Sequence, residues 1–177
     1  MLADIAIAAL ILMTALIAIT FIAHLWVPVV YVPTPHVVVK EMVELAHLKP
    51  GNRVYDLGAG DARLLIAAKR KEPGITVIGC ELIPTVWALG KLNILKSRQK
   101  VTLRFQNILR CDLQDADVVF LYLIPSLMEK LKEKFDQELR PGTRVVAYVF
   151  KIPGKEPEKE VKVPWMGSER AVRVYRW

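Results

Sequence analysis

Residues 5–32 contain no Lys, Arg, Asp or Glu. A helix that is apolar on every side belongs in a membrane or in the interior of a very large core, and 177 residues supply one domain of ordinary size. The run IAIAALILMTALIAITFIAHLW exceeds the roughly 20 apolar residues that span a bilayer as a helix. A cleaved signal peptide would carry basic residues ahead of a shorter apolar stretch, whereas Asp4 precedes this one. Residues 1–32 are therefore expected to form a transmembrane anchor and linker. The run also accounts for a hydrophobic content of 53% and a mean hydropathy of +0.30. The prolines of VPTP, Pro33 and Pro35, cannot continue a helix and restrict the residues before them, so a separate domain is expected over residues 33–177.

Within that domain strand and helix patterns alternate. HVVVKEMVELAHL places Val38, Met42, Leu45 and Leu48 on one face of a helix. RVYDLG, ITVIGCEL, VTLRFQNI, DVVFLYLI and TRVVAYVF read as strands, separated by helical ARLLIAAKR, PTVWALGKLNILKSR and PSLMEKLKEKFDQEL. The strands are nearly unbroken apolar runs, as expected where helices cover both faces of a parallel sheet. EVKVPW and AVRVYRW, joined by MGSER, read as a terminal hairpin. The expected fold is α/β: a Rossmann-like, seven-stranded, mostly parallel sheet with a C-terminal antiparallel hairpin, preceded by an N-terminal transmembrane helix.

In such sheets ligands bind at the carboxyl ends of the strands, where the strand order reverses. The first strand-to-helix turn reads Asp56-Leu57-Gly58-Ala59-Gly60-Asp61-Ala62-Arg63. A dinucleotide fingerprint needs glycine or alanine where Arg63 stands, and a pyrophosphate beside Asp56 and Asp61 would be repelled. The pattern suits a ligand that is cationic near the turn and carries ribose hydroxyls near Glu81, the acid ending the second strand. S-adenosylmethionine has those features. Asp56, Leu57, Gly58, Ala59, Gly60, Asp61, Glu81 and Leu82 are the candidate cofactor-binding residues. Asn107 and Ile108, after the third strand, are candidates for the adenine. Asp61 suits equally the N-cap of the following helix, and Asn107 a turn.

At these positions the chain resembles the class I, seven-strand S-adenosylmethionine-dependent methyltransferases, with Ala62 where a third glycine is frequent. The N-terminal apolar run, VPTP, VYDLGAGDARLLIAA, GCELIP, DVVFLYLIPSLMEKL and ELRPGTRVVAYVFKIPG extend the resemblance over nearly the whole chain. They are similar to the membrane-anchored protein-lysine N-methyltransferases of the adenine nucleotide translocase and ATP synthase c-subunit type and their prokaryotic relatives. The resemblance implies methyl transfer to a lysine of a membrane protein. A small-molecule or lipid acceptor, and a catalytically silent adenosyl-binding scaffold, are the alternatives.

Methyl transfer is an in-line displacement that asks mainly for alignment in a pocket with little water. Tyr122, at the end of the fourth strand, is the candidate for orienting the amine, or else a core aromatic. Tyr31, Leu123, Ile124 and Pro125 are expected to line the substrate site, and Thr34 to close over the cofactor. His24, His36 and His47 form no metal pattern, and no metal is expected. Cys80 and Cys111 lack metal spacing and are expected to be reduced thiols. Every lysine and arginine follows the apolar run, beginning at Lys40. That places the domain on the cytoplasmic side of a single-pass membrane protein, or facing the mitochondrial matrix. The net charge of +7 suits solvated helix faces, anionic lipid or an acidic partner. Nucleic acid is not expected, because no aromatic residues are interleaved with the cations and the Asn/Asp-Pro-Pro-aromatic motif of base-methylating enzymes is absent after the fourth strand.

Overall fold

A computed structural model describes residues 2–26, 31–165 and 167–177. The expected linker residues 27–30 and Met166 in the hairpin turn lie outside the described residues. Helix α1 (Leu2–Trp26) is a continuous apolar rod, and its segment Leu2–Ile19 has the length and composition to cross a membrane, with none of it buried against the rest of the protein. Among the described residues five α-helices and seven strands run in the order α1, α2 (His36–Leu45), β1 (Arg53–Leu57), α3 (Arg63–Lys71), β2 (Thr76–Glu81), α4 (Pro84–Ser97), β3 (Thr102–Phe105), β4 (Val118–Leu121), α5 (Pro125–Glu138), β5 (Arg144–Tyr148), β6 (Lys159–Trp165) and β7 (Ser168–Arg176).

The strands form one sheet in the order β3-β2-β1-β4-β5-β7-β6. The first five are parallel, and β7 pairs antiparallel with both β5 and β6. Both faces of the central strands are buried, which explains their unbroken apolar runs. Val54, Val118, Phe120 and Val146 pack under α2 and α3, whereas Tyr55, Leu57, Val119, Leu121 and Val145 pack under α5 through Met128, Leu131 and Phe135. Successive side chains alternate between the two cores, as the pleat requires. The chain order reverses between β1 and β4, so the carboxyl ends of these two strands open the crevice in which a ligand is expected.

Two turns depart from the sequence reading. The hairpin loop is shorter than expected, because Ser168 to Arg170 already belong to β7. Cys80 and Cys111, expected as thiols, form a disulfide between two fully buried positions. Parallel pairing of β2 with β3 brings the end of β2 beside the turn that follows β3, closing the 31-residue separation that made the pairing invisible in sequence. Disulfides persist in oxidising compartments and in hyperthermophile cytosol.

Candidate active site

The turn after β1 is built on two glycines in left-handed conformations. Gly58 and Gly60 have φ of +80° and +57°, a region L-residues enter at a cost of about 1–2 kcal/mol. A Cβ at Gly60 would also sit 2.8 Å from the Tyr31 ring. Gly58 and Ala59 donate their N–H groups to the carbonyl of Cys80, so one half of the disulfide is also the backbone acceptor of the turn. From behind, α4 presses close: a Cβ at Gly90 would lie 2.9 Å from the Gly60 carbonyl, and Asn93 donates to the Asp61 carbonyl at 3.1 Å. Ala62, at the frequent third-glycine position, takes the left-handed conformation at φ 64° and is the N-cap residue of α3. Asp61, expected as a candidate cap, sits one residue ahead of the observed one and reaches the Arg63 N–H at 3.3 Å.

Above the turn lies a cavity of about 400 Å³, within the usual range for small-molecule sites. Of the sequence candidates, Tyr31, Thr34, Asp56, Gly58, Ala59, Gly60, Asp61, Glu81, Leu82, Asn107, Ile108, Tyr122, Leu123 and Ile124 line it. Two do not. Leu57 is fully buried on the α5 side of the sheet, because strand alternation turns it away from its neighbour Asp56. Pro125 opens α5, and Ser126 and Leu127 line the cavity in its place. Arg63 and Lys130 also line it and were missed.

The carboxyl groups differ sharply in surroundings. Asp56 is 5% exposed; burial, with the nearby Glu81 and Asp61 carboxylates adding to it, pushes its pKa up to about 8. Among the described residues no donor hydrogen-bonds its carboxyl group. Asp61 is neutralised by Arg63, which grips both carboxylate oxygens at 2.7 to 3.1 Å. The same guanidinium donates to the Thr34 carbonyl at 3.0 Å and so ties the segment arriving from α1 across the cavity. Arg63, which in sequence only breaks a nucleotide pattern, is a latch. Glu81 accepts three backbone N–H groups, from Gly60 at 3.0 Å, Leu82 at 2.8 Å and Ile83 at 2.7 Å. A carboxylate has about four acceptor positions, so in this arrangement one is left for a ligand hydroxyl.

The remaining groups complete the lining. Asn107 caps a short 3₁₀ turn by accepting from the Leu109 N–H at 2.9 Å, leaving its amide NH₂ for a ligand. Tyr122 packs against Tyr148 with ring centroids 4.7 Å apart. The Tyr31 hydroxyl lies near Asp61 and Arg63, and burial and Asp61 raise its pKa, yet among the described residues it finds no hydrogen-bond partner of proper geometry. An unpartnered buried carboxyl and an unpartnered hydroxyl facing one cavity call for a ligand that supplies positive charge and hydrogen-bonding groups. S-adenosylmethionine fits: Asp56 would face its cationic end, Glu81 its ribose, and Asn107 with Ile108 its base. No group of three or more His, Cys, Asp or Glu placed to hold a metal ion occurs among the described residues.

Comparison with known proteins points to the same cofactor. Residues 56–159 match the ANTKMT methyltransferase domain family. A protein-lysine N-methyltransferase of Saccharolobus islandicus is 35% identical over 82% of this chain and 91% of its own. The adenine nucleotide translocase lysine N-methyltransferase of Mus musculus is 30% identical over 75% of this chain. That alignment spans 56% of the mouse protein. Among solved structures, an RNA methyltransferase from Salinibacter ruber in complex with S-adenosyl-L-homocysteine is 33% identical, covers 82% of this chain and 93% of its own, and superposes with a TM-score of 0.74.

Proposed function

The chain belongs to the ANTKMT methyltransferase domain family and is an S-adenosylmethionine-dependent methyltransferase, and from this premise we propose that it is membrane-anchored and methylates a lysine side chain of a membrane protein. Kinship with protein-lysine N-methyltransferases along most of the chain supports the acceptor. The apolar helix α1, unburied along its whole candidate span, supports the anchor. The following lysines and arginines support a domain facing the cytoplasm, or the matrix of a mitochondrion.

When bound, the cofactor supplies an electrophilic methyl group on a sulfonium. The protein's part is to hold and to dry the site. In this reading Asp56 compensates the cationic end, while Glu81 and Asn107 fix the ribose and base. The strap from Tyr31 to Thr34, latched by Arg63, excludes water. Tyr122, Leu123 and Ile124 wall the approach of the amine. A lysine brought into this apolar mouth loses hydration, which lowers its pKa and favours the neutral, nucleophilic form. The amine's proton would pass to solvent as the lysine enters between Tyr122, Leu123 and Ile124, leaving its nitrogen lone pair free to face the methyl group that the cofactor would supply. The single observation that carries the reading is the unpartnered, buried Asp56 carboxyl above the glycine turn.

The Salinibacter relative makes RNA the competing acceptor. The sequence Tyr122-Leu123-Ile124-Pro125 offers none of the side-chain amide or carboxylate groups with which base-methylating sites hold an exocyclic amine. Mass spectrometry of membrane proteins from cells with and without this chain tests the reading. A methyl-lysine lost with the chain is expected; an unchanged membrane proteome with a methylated nucleotide lost from RNA would overturn it.

A further inference from the structure

On α4 the outward face is apolar where a soluble domain would place charge. Leu89, Leu92 and Leu95 are 43%, 54% and 75% exposed, and Phe105, at the end of the edge strand β3, is 54% exposed. Leu89, Leu92 and Leu95 follow one another at three-residue steps, so each neighbours the next along the helix surface. Contiguous exposed apolar surface of this kind marks an interaction site.

The cations around it are distributed unlike those elsewhere. Residues 82–111 contain six lysines and arginines and no aspartate or glutamate, so this stretch carries +6 of the chain's net +7. Lys91, Lys96, Arg98, Lys100 and Arg104 are exposed. Among the described residues none of the five has an ion pair, whereas on α5 Lys132 pairs with Asp136 and Lys134 with Glu138. A solvated face ordinarily interleaves both signs, as α5 does. This one leaves its positive charge for an external anion. Helix α1 lies against α4, so the face is continuous with the helix read above as the anchor.

We propose that the α4–β3 edge docks on the anionic bilayer surface from which α1 emerges, with the leucines and Phe105 at the headgroup–acyl boundary and the cations on lipid phosphates. Interfacial helices combine these two features, and long basic side chains reach outward past an apolar stripe to the headgroups. The proposal rests on reading α1 as a membrane anchor. It favours lipid over RNA because exposed leucines serve no base stacking, and over a second copy of the chain because five uncompensated cations would repel their own image. The docking has a consequence for the site. Helix α4 backs directly onto the glycine turn through Gly90 and Asn93, so seating α4 on the lipid fixes the cofactor cavity at the level of the bilayer surface, where a lysine just outside a membrane helix can reach it.

The test uses the full chain reconstituted in nanodiscs of phosphatidylcholine with or without phosphatidylglycerol, labelled with a fluorophore at Leu95→Cys, or at Glu133→Cys on α5 as control. Lipids carrying a shallow spin label should quench the Leu95 position several-fold more strongly than Glu133 in anionic discs. Replacing Lys96, Arg98 and Lys100 together by Glu should at least halve that quenching and leave S-adenosylmethionine affinity unchanged. Extraction at alkaline pH from native membranes tests the anchor separately: release of the chain defeats the anchor reading, while a retained chain with an unquenched Leu95 defeats the docking alone. Energy transfer between Leu95 labels of two copies without lipid quenching, or an RNA-dependent signal there without it, would also overturn the docking.

Discussion

Replacing Asp56 by asparagine keeps the shape of the side chain and removes its capacity to ionise. In the ligand-free protein its pKa is raised from 3.8 to about 8 by burial and by Glu81 and Asp61, so at pH 7 about nine-tenths of the molecules carry the proton. A cationic ligand favours the ionised form, and binding at pH 7 should release about 0.9 proton from this group, measurable by calorimetry in buffers of differing ionisation enthalpy. A charge-assisted contact contributes roughly 1.5–3 kcal/mol, which corresponds to an affinity ratio of wild type over Asp56→Asn of about 10- to 150-fold at pH 9. Each unit below pH 8 should reduce that ratio about tenfold until the two proteins converge. Taking the ratio cancels the titration of the ligand's own amine. The sign for stability is opposite: a carboxyl held protonated by the fold contributes stability at low pH that is lost as pH rises from 3.8 to about 8, and the asparagine variant should lack this decline. A ratio that stays constant between pH 6 and 9, or equal affinity at pH 9, would refute the electrostatic reasoning.

Gly60→Val places a branched side chain at φ +57° against the Tyr31 ring; cofactor binding by calorimetry should fall below detection while circular dichroism keeps the α/β signature. Arg63→Ala frees the Thr34 carbonyl and leaves Asp61 uncompensated beside Asp56, and we expect cofactor dissociation, followed by stopped-flow fluorescence, to quicken by roughly 10-fold or more, since charged hydrogen bonds contribute about 1.5–3 kcal/mol. Cys80→Ser with Cys111→Ser removes a crosslink spanning 31 residues; chain entropy assigns it about 3–4 kcal/mol, to be read from urea unfolding midpoints, and reduction of the wild-type chain should reproduce the loss.

The parts of the fold that follow from hydrophobic burial were legible, and those that depend on pairing across the chain were not. The strands around Val118 to Leu121 announced themselves because both faces are buried. Asp56, Gly60 and Glu81 stood out because strand ends and a glycine turn fix their positions independently of side-chain detail. Arg63 did not, since its value lies in reaching a carbonyl 29 residues earlier in the chain. The disulfide was hidden by the same kind of distance, which only the β2–β3 register closes. Leu57 was included as part of a contiguous motif, although the pleat sends every second residue to the opposite core. Glu81 lines the cavity from the end of β2, yet its three backbone donors are set by the curl of the chain at Leu82 and Ile83, which no residue type specifies.

The most direct test is methyl transfer itself. Membranes stripped of this chain are incubated with the purified full-length protein and S-adenosylmethionine labelled in its methyl group, then divided into protein, RNA and lipid fractions. Label recovered as methyl-lysine after acid hydrolysis of the protein fraction, and lowered about 10- to 150-fold with Asp56→Asn at pH 9 and cofactor well below saturation, is the predicted result. Label confined to RNA or to the lipid extract would contradict the account.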